Sequence, residues 1–155
     1  MLDNLLAQLS QLVLDTIAAW GYLGIFILMA VESANIPVPS EIIMPFSGFL
    51  VSAGKLDFLL VVTVGALGNL FGSLISYGLG YFYGERAIAV LSKLFLVNER
   101  ELATAKNLFQ RMGVLSIFLT RLMPVVRTFI SFPAGMFKVN IIQFSVLTFL
   151  GSFLW

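Results

Sequence analysis

Two arginines, Arg121 and Arg127, sit in a largely apolar stretch running from Thr120 to Met136, and Pro124 between them breaks any continuous helix. An arginine at bilayer depth costs at least about 2.5–3.5 kcal/mol on insertion scales, so such residues are rare, face protein or a water-filled cavity, and mark substrate or ion pathways. A second charged set has the opposite sign: Glu32 and Glu41 flank Pro37 and Pro39 in another apolar region. Brought together, carboxylates and guanidiniums reduce the cost of burying either. A salt-bridge cluster with a purely structural role is the competing reading. Four ionisable groups, however, are an expensive way to hold apolar helices that small-residue packing already holds.

The rest of the inventory narrows the chemistry. The chain has no histidine and no cysteine, which removes the usual general base, the commonest metal ligand, thiolate chemistry and disulfides. Asp3, Asp15 and Asp57 lie at segment ends, so no paired-aspartate site forms either. The expectation is therefore a protein that is not an enzyme, with no catalytic residue, no metal site and no cofactor. At 59% hydrophobic and 11% charged residues, with a mean hydropathy of +1.00, the chain has too little polar surface to enclose a soluble domain, and the bilayer must be its solvent. The formal charge of +1 gives no reason to invoke nucleic acid. No basic residue and no small-residue cleavage site occurs in the first twenty positions, so they do not read as a signal peptide.

The elements that must position these charges follow from apolar run lengths. Residues 1–19 place Leu2, Leu5, Leu6, Leu9, Leu12, Val13 and Ile17 at helical spacing, an amphipathic helix that lies on the membrane or packs on its own protein. Two short runs, Tyr22 to Val31 and Ile42 to Ala53, flank the proline break and are too short to span, so a re-entrant hairpin is predicted whose half-helix ends line a cavity. Phe58 to Tyr83 is long enough to cross a bilayer with tilt. Along it Gly68, Gly72, Ser76, Gly80 and Gly84 recur every fourth residue, a small-residue ridge that admits close helix packing. Residues 84–112 read as an interfacial linker whose basic residues suggest a cytoplasmic location, with a helix start at Asn98 and Glu101.

Gly113 to Met136 is the second interrupted hairpin, broken at Pro124 and Gly135, and Val139 to Trp155 begins a second span that is short for a bilayer, so the natural C-terminal end is expected to be missing. Gly21-Tyr-Leu-Gly-Ile-Phe26 reads closely against Gly113-Val-Leu-Ser-Ile-Phe118. The chain is thus predicted to be one all-α membrane domain of two units, residues 20–83 and 113–155, each a hairpin plus a span. An odd number of crossings per unit makes the repeat inverted, as in secondary transporters.

Glu32 with Pro39-Ser-Glu41, the glycine-rich end of the span at Tyr77-Gly-Leu-Gly-Tyr-Phe-Tyr-Gly84, and above all Arg121-Leu-Met-Pro124-Val-Val-Arg127 followed by Pro133-Ala-Gly135-Met resemble the DedA family, also called the SNARE-associated or VTT-domain family. The resemblance implies a membrane protein that flips or scrambles phospholipids, or in bacteria returns undecaprenyl phosphate across the inner (plasma) membrane, with proton coupling proposed. It maps Arg121 and Arg127 onto the family's paired arginines and Glu32 and Glu41 onto its acidic residues. The expected partner is a membrane lipid whose phosphate the arginines hold bidentately, with the glutamates competing for them when ionised and carrying protons when neutral. A proton-coupled transporter of small ions or drugs and a non-transporting scaffold are the rival readings. The identity of the lipid, the direction of transport and the presence of a homo-oligomer stay open at this level.

Overall fold

The computed structural model describes residues 2–34, 40–93, 99–123 and 126–154. Pro37, Pro39, Asn98 and Pro124 lie outside the described residues. Among those described, the chain is all helical with no strand: α1 Leu2–Trp20, α2 Tyr22–Ser33, α3 Ser40–Ser52, α4 Phe58–Lys93, α5 Glu99–Met112, α6 Leu115–Arg121, α7 Val126–Phe129, α8 Ser131–Met136 and α9 Ile141–Leu154. One helical stretch, the 27 residues Phe58–Gly84, is long and apolar enough to cross a membrane. At 1.5 Å per residue it is roughly 40 Å long, more than a hydrocarbon core of about 30 Å requires. The apolar helices α2 (12 residues), α3 (13) and α9 (14) are each shorter than the about 20 residues of a full span.

α4 is the axis on which α2, α8 and α9 pack, and its small residues are the reason. A Cβ on Gly68 would stand 2.4 Å from the Phe26 carbonyl oxygen, and one on Gly72 would stand 2.0 Å from that of Ala30, so α2 lies with its backbone directly on this part of α4. Further along, a Cβ on Gly80 would meet the Phe132 carbonyl oxygen at 2.1 Å, while one on Gly135 of α8 would meet that of Tyr77 at 2.0 Å. The ridge therefore serves two partners in succession, and at the second the partner answers with a glycine of its own. Such contacts let helices associate by van der Waals packing where lipid removes the hydrophobic drive. Ser76 lies between the two contacts and donates to the Ser33 carbonyl at 3.3 Å.

Gly84, which the four-residue spacing assigns to the same ridge, has another role. Nothing described lies within 4 Å of where its Cβ would be, and its backbone is non-helical, with φ 47° and ψ −127°. The left-handed φ suits glycine and kinks the helix here. Helix α4 then continues to Lys93, so the segment predicted as a linker begins as helix beyond the kink. On α1, Val13 and Ile17 are buried in a cluster with Ile25, Leu28, Met29, Ile43 and Val61, so this face of the amphipathic helix packs on its own protein. A second cluster joins Tyr77, Ile117, Ala134 and Phe144, and the Tyr77 hydroxyl donates to the Val139 carbonyl at 2.5 Å, tying α4 to the start of α9.

Candidate functional site

Burial of charge locates the site. Among the described residues the buried charged side chains are Glu32 (7% exposed), Arg121 (1%) and Arg127 (2%), and α2, α6 and α7 bring them into one polar region beside α4. Arg127 reaches across from α7 and donates through Nη2 to Glu32 Oε1 at 2.5 Å, forming a buried ion pair. The second oxygen, Glu32 Oε2, is buried with no hydrogen-bond partner among the described residues. Glu32 ends up here because Gly68 and Gly72 pull α2 onto α4 by its backbone, which brings the last turn of α2 over the polar part of the span.

Arg121 keeps different company. Its Nη1 donates to Asn69 Oδ1 at 3.1 Å, and its Nη2 donates to Ser73 Oγ at 2.8 Å and to Ser131 Oγ at 2.7 Å. Asn69 and Ser73 are four apart on α4, one turn of the same face, and Ser131 opens α8, which the Gly80–Gly135 contact holds against the span. Asn69 Oδ1 also accepts from Ser33 Oγ at 2.5 Å, and Ser33 follows Glu32 directly. One amide oxygen thus joins the neighbourhood of the ion pair to that of the second arginine. Arg121 Nε is buried without a partner among the described residues. On α9, where Gly151 packs against the Arg121 stem, the Thr148 and Ser152 hydroxyls are buried in the same condition.

The predicted site residues therefore divide. The structure brings Arg121, Arg127 and Glu32 together, places Gly68, Gly72, Ser76, Gly80 and Gly135 in the helix contacts around them, and leaves Glu41 exposed in the first turn of α3. Gly135 lies inside α8 as a packing residue. Sequence reasoning missed Asn69, Ser73, Ser131 and Ser33. The signal was available: Asn69 and Ser73 are polar residues one turn apart in a largely apolar span, interleaved with the glycines that drew attention first.

An ion pair and a caged guanidinium, both closed off by packed helices, can exchange a carboxylate partner for another anion if the helices part. No group of three or more histidine, cysteine or acidic residues able to hold a metal occurs among the described residues.

The chain's relatives are consistent with this membrane setting. The VTT domain matches residues 38–155. Undecaprenyl phosphate transporter A of Staphylococcus aureus is 30% identical over 151 residues, covering 95% of this chain and 74% of that protein. The Bacillus subtilis protein of the same name is 31% identical over 143 residues, 92% of this chain and 70% of that one. An alkaline phosphatase-like protein of Lactococcus lactis is 29% identical over 152 residues, 95% of this chain and 71% of its own length. No solved structure matches the chain significantly. With the family match covering most of the sequence, including both arginines and the glycine-rich span, the chain belongs to the VTT-domain (DedA) family of membrane proteins.

Proposed function

We propose that this protein carries a phosphate-bearing lipid, undecaprenyl phosphate or a phospholipid, across the bilayer, with Arg121 and Arg127 receiving the head group while the tail stays in lipid. The observation that carries the reading is the pair of guanidiniums, 1% and 2% exposed, inside a membrane protein whose described interior holds one carboxylate. A guanidinium stays charged at any working pH, and its planar fork matches two phosphate oxygens at once. The names of the Staphylococcus and Bacillus relatives support the substrate class and a transporting, non-enzymatic role. Glu32 is the group that a phosphate on Arg127 would displace, and in this reading it is the proton carrier that couples transport to the gradient.

The reading includes an inverted repeat in the bacterial plasma membrane, crossed several times. It is supported by Gly68 in one half and Gly151 in the other, where an added Cβ would stand 2.4 Å from the Phe26 carbonyl oxygen and 3.4 Å from that of Phe118, since Phe26 and Phe118 close the two similar hexapeptides. Single cysteines placed at Lys55 and Lys106 of this cysteine-free chain should label from opposite sides of the membrane. Labelling from one side would remove the inverted repeat. For the function itself, purified protein in liposomes of defined composition should move undecaprenyl phosphate faster than protein-free liposomes do, and faster still with an imposed pH gradient. Movement no faster than the protein-free rate would sink the proposal.

A further inference from the structure

The described interior holds two guanidiniums and one carboxylate, and the carboxylate is already paired with Arg127. Of the other acids whose side chains are described, Asp15, Glu41 and Asp57 are all exposed. Arg121 is therefore a buried cation whose three observed hydrogen bonds all go to neutral groups: the Asn69 amide oxygen and the Ser73 and Ser131 hydroxyls. Neutral dipoles satisfy donors without cancelling the charge, and in a low-dielectric interior an uncancelled charge acts over a long range. Apolar surroundings alone would make this arrangement too costly to keep without hydrogen bonds or a counter-ion. The donor Nε remains unpartnered among the described residues, as do the Thr148 and Ser152 hydroxyls on the adjoining helix α9.

We infer that Asn69, Ser73 and Ser131 form a neutral cradle that keeps Arg121 as a standing anion-binding position, and that Asn69 sets its specificity for anions by supplying an acceptor without a charge. The inference rests on the phosphate reading above and deepens it. Arg127 already holds Glu32, whereas among the described residues Arg121 holds no carboxylate. Asn69 acts here as a positioning residue, because it holds Arg121 and, through Ser33, feels the helix that carries Glu32. Opening of the Glu32–Arg127 pair by movement of α2 would pull Ser33 from Asn69 and loosen the Arg121 cradle in the same motion.

Asn69→Asp is the sharpest test, because aspartate keeps the shape and the accepting oxygen while exchanging the amide nitrogen for the second oxygen of a charged carboxylate. Thermal unfolding of the purified protein in detergent at neutral pH is followed with and without farnesyl phosphate, using farnesol as the uncharged control, for wild type, Asn69→Asp and Asn69→Leu. Wild type should be stabilised by farnesyl phosphate and not by farnesol. Asn69→Asp should unfold at the wild-type temperature or above it without ligand, since its carboxylate meets a waiting cation, and should lose the shift given by farnesyl phosphate, with affinity lower by about tenfold or more, the factor that 1.4 kcal/mol represents. Asn69→Leu, which removes the acceptor, should unfold at a lower temperature. If Asn69→Asp fails to fold or is as unstable as Asn69→Leu, the charge of Arg121 is already compensated and the inference falls. A folded Asn69→Asp that keeps the full farnesyl phosphate shift overturns it as well, leaving the phosphate reading intact. Absence of any farnesyl phosphate shift in wild type overturns both.

Discussion

Arg127 and Arg121 are equally buried and close in sequence, yet one is held by a carboxylate and the other by an amide and two hydroxyls. The difference teaches which part of the site can respond. An ion pair can be opened by offering its cation another anion, so in the proposed function the Glu32–Arg127 contact is the part that answers to a phosphate. A guanidinium caged by neutral groups has no carboxylate in its cage to exchange, and is reached only through the Ser33–Asn69 hydrogen bond. Charge balance and backbone contact are also divided along α4, with one side of the site at each end of its ridge. Gly68 and Gly72 seat α2 and its glutamate, while Gly80 and Gly135 seat α8 and its cradle serine.

That division can be broken from either side with one methyl group. Gly72→Ala puts a Cβ 2.0 Å from the Ala30 carbonyl oxygen and 2.9 Å from Ser33 Cβ, so α2 must shift, and Glu32 with it. Overpacking of this kind costs about 1–3 kcal/mol. Of the three changes it should have the largest effect, lowering the unfolding temperature in detergent and weakening the dependence of transport on the proton gradient. Gly135→Ala meets the Tyr77 carbonyl oxygen at 2.0 Å and displaces α8, so it should also destabilise the fold, but it should weaken phosphate binding while the gradient dependence survives. Gly78→Ala is the smallest: nothing lies within 4 Å of its Cβ, and alanine is the better helix former by about 1 kcal/mol, so stability should hold or rise slightly. Equal effects of Gly72→Ala and Gly135→Ala on gradient dependence would remove the division between the two sides.

Much of the site was legible in the sequence, for a physical reason. Charge is so costly at bilayer depth that Arg121, Arg127 and Glu32 stand out without any fold in hand. Glu41 carried the same signal, but it sits in the exposed first turn of α3, and proximity to a proline break does not say which way a turn faces. The glycine spacing marked the packing face of α4 and could not separate Gly80, which accepts a carbonyl at its surface, from Gly84, which bends the backbone. Glycine serves close approach and positive φ equally well, so its period alone leaves the two uses mixed. The cradle was the least legible part. Asn69, Ser73 and Ser131 are ordinary residue types, and only the meeting of α4, α6 and α8 gives them a common task.

Lysine in place of each arginine tests the central claim most directly, because it keeps the charge and removes the planar fork. Reconstituted in liposomes, Arg121→Lys and Arg127→Lys should both fold, and undecaprenyl phosphate movement should fall by on the order of tenfold or more in each, because a single ammonium cannot hold two phosphate oxygens in the same plane. Wild-type rates from both variants would show that the site reads charge alone and would contradict a guanidinium clasp on a lipid phosphate.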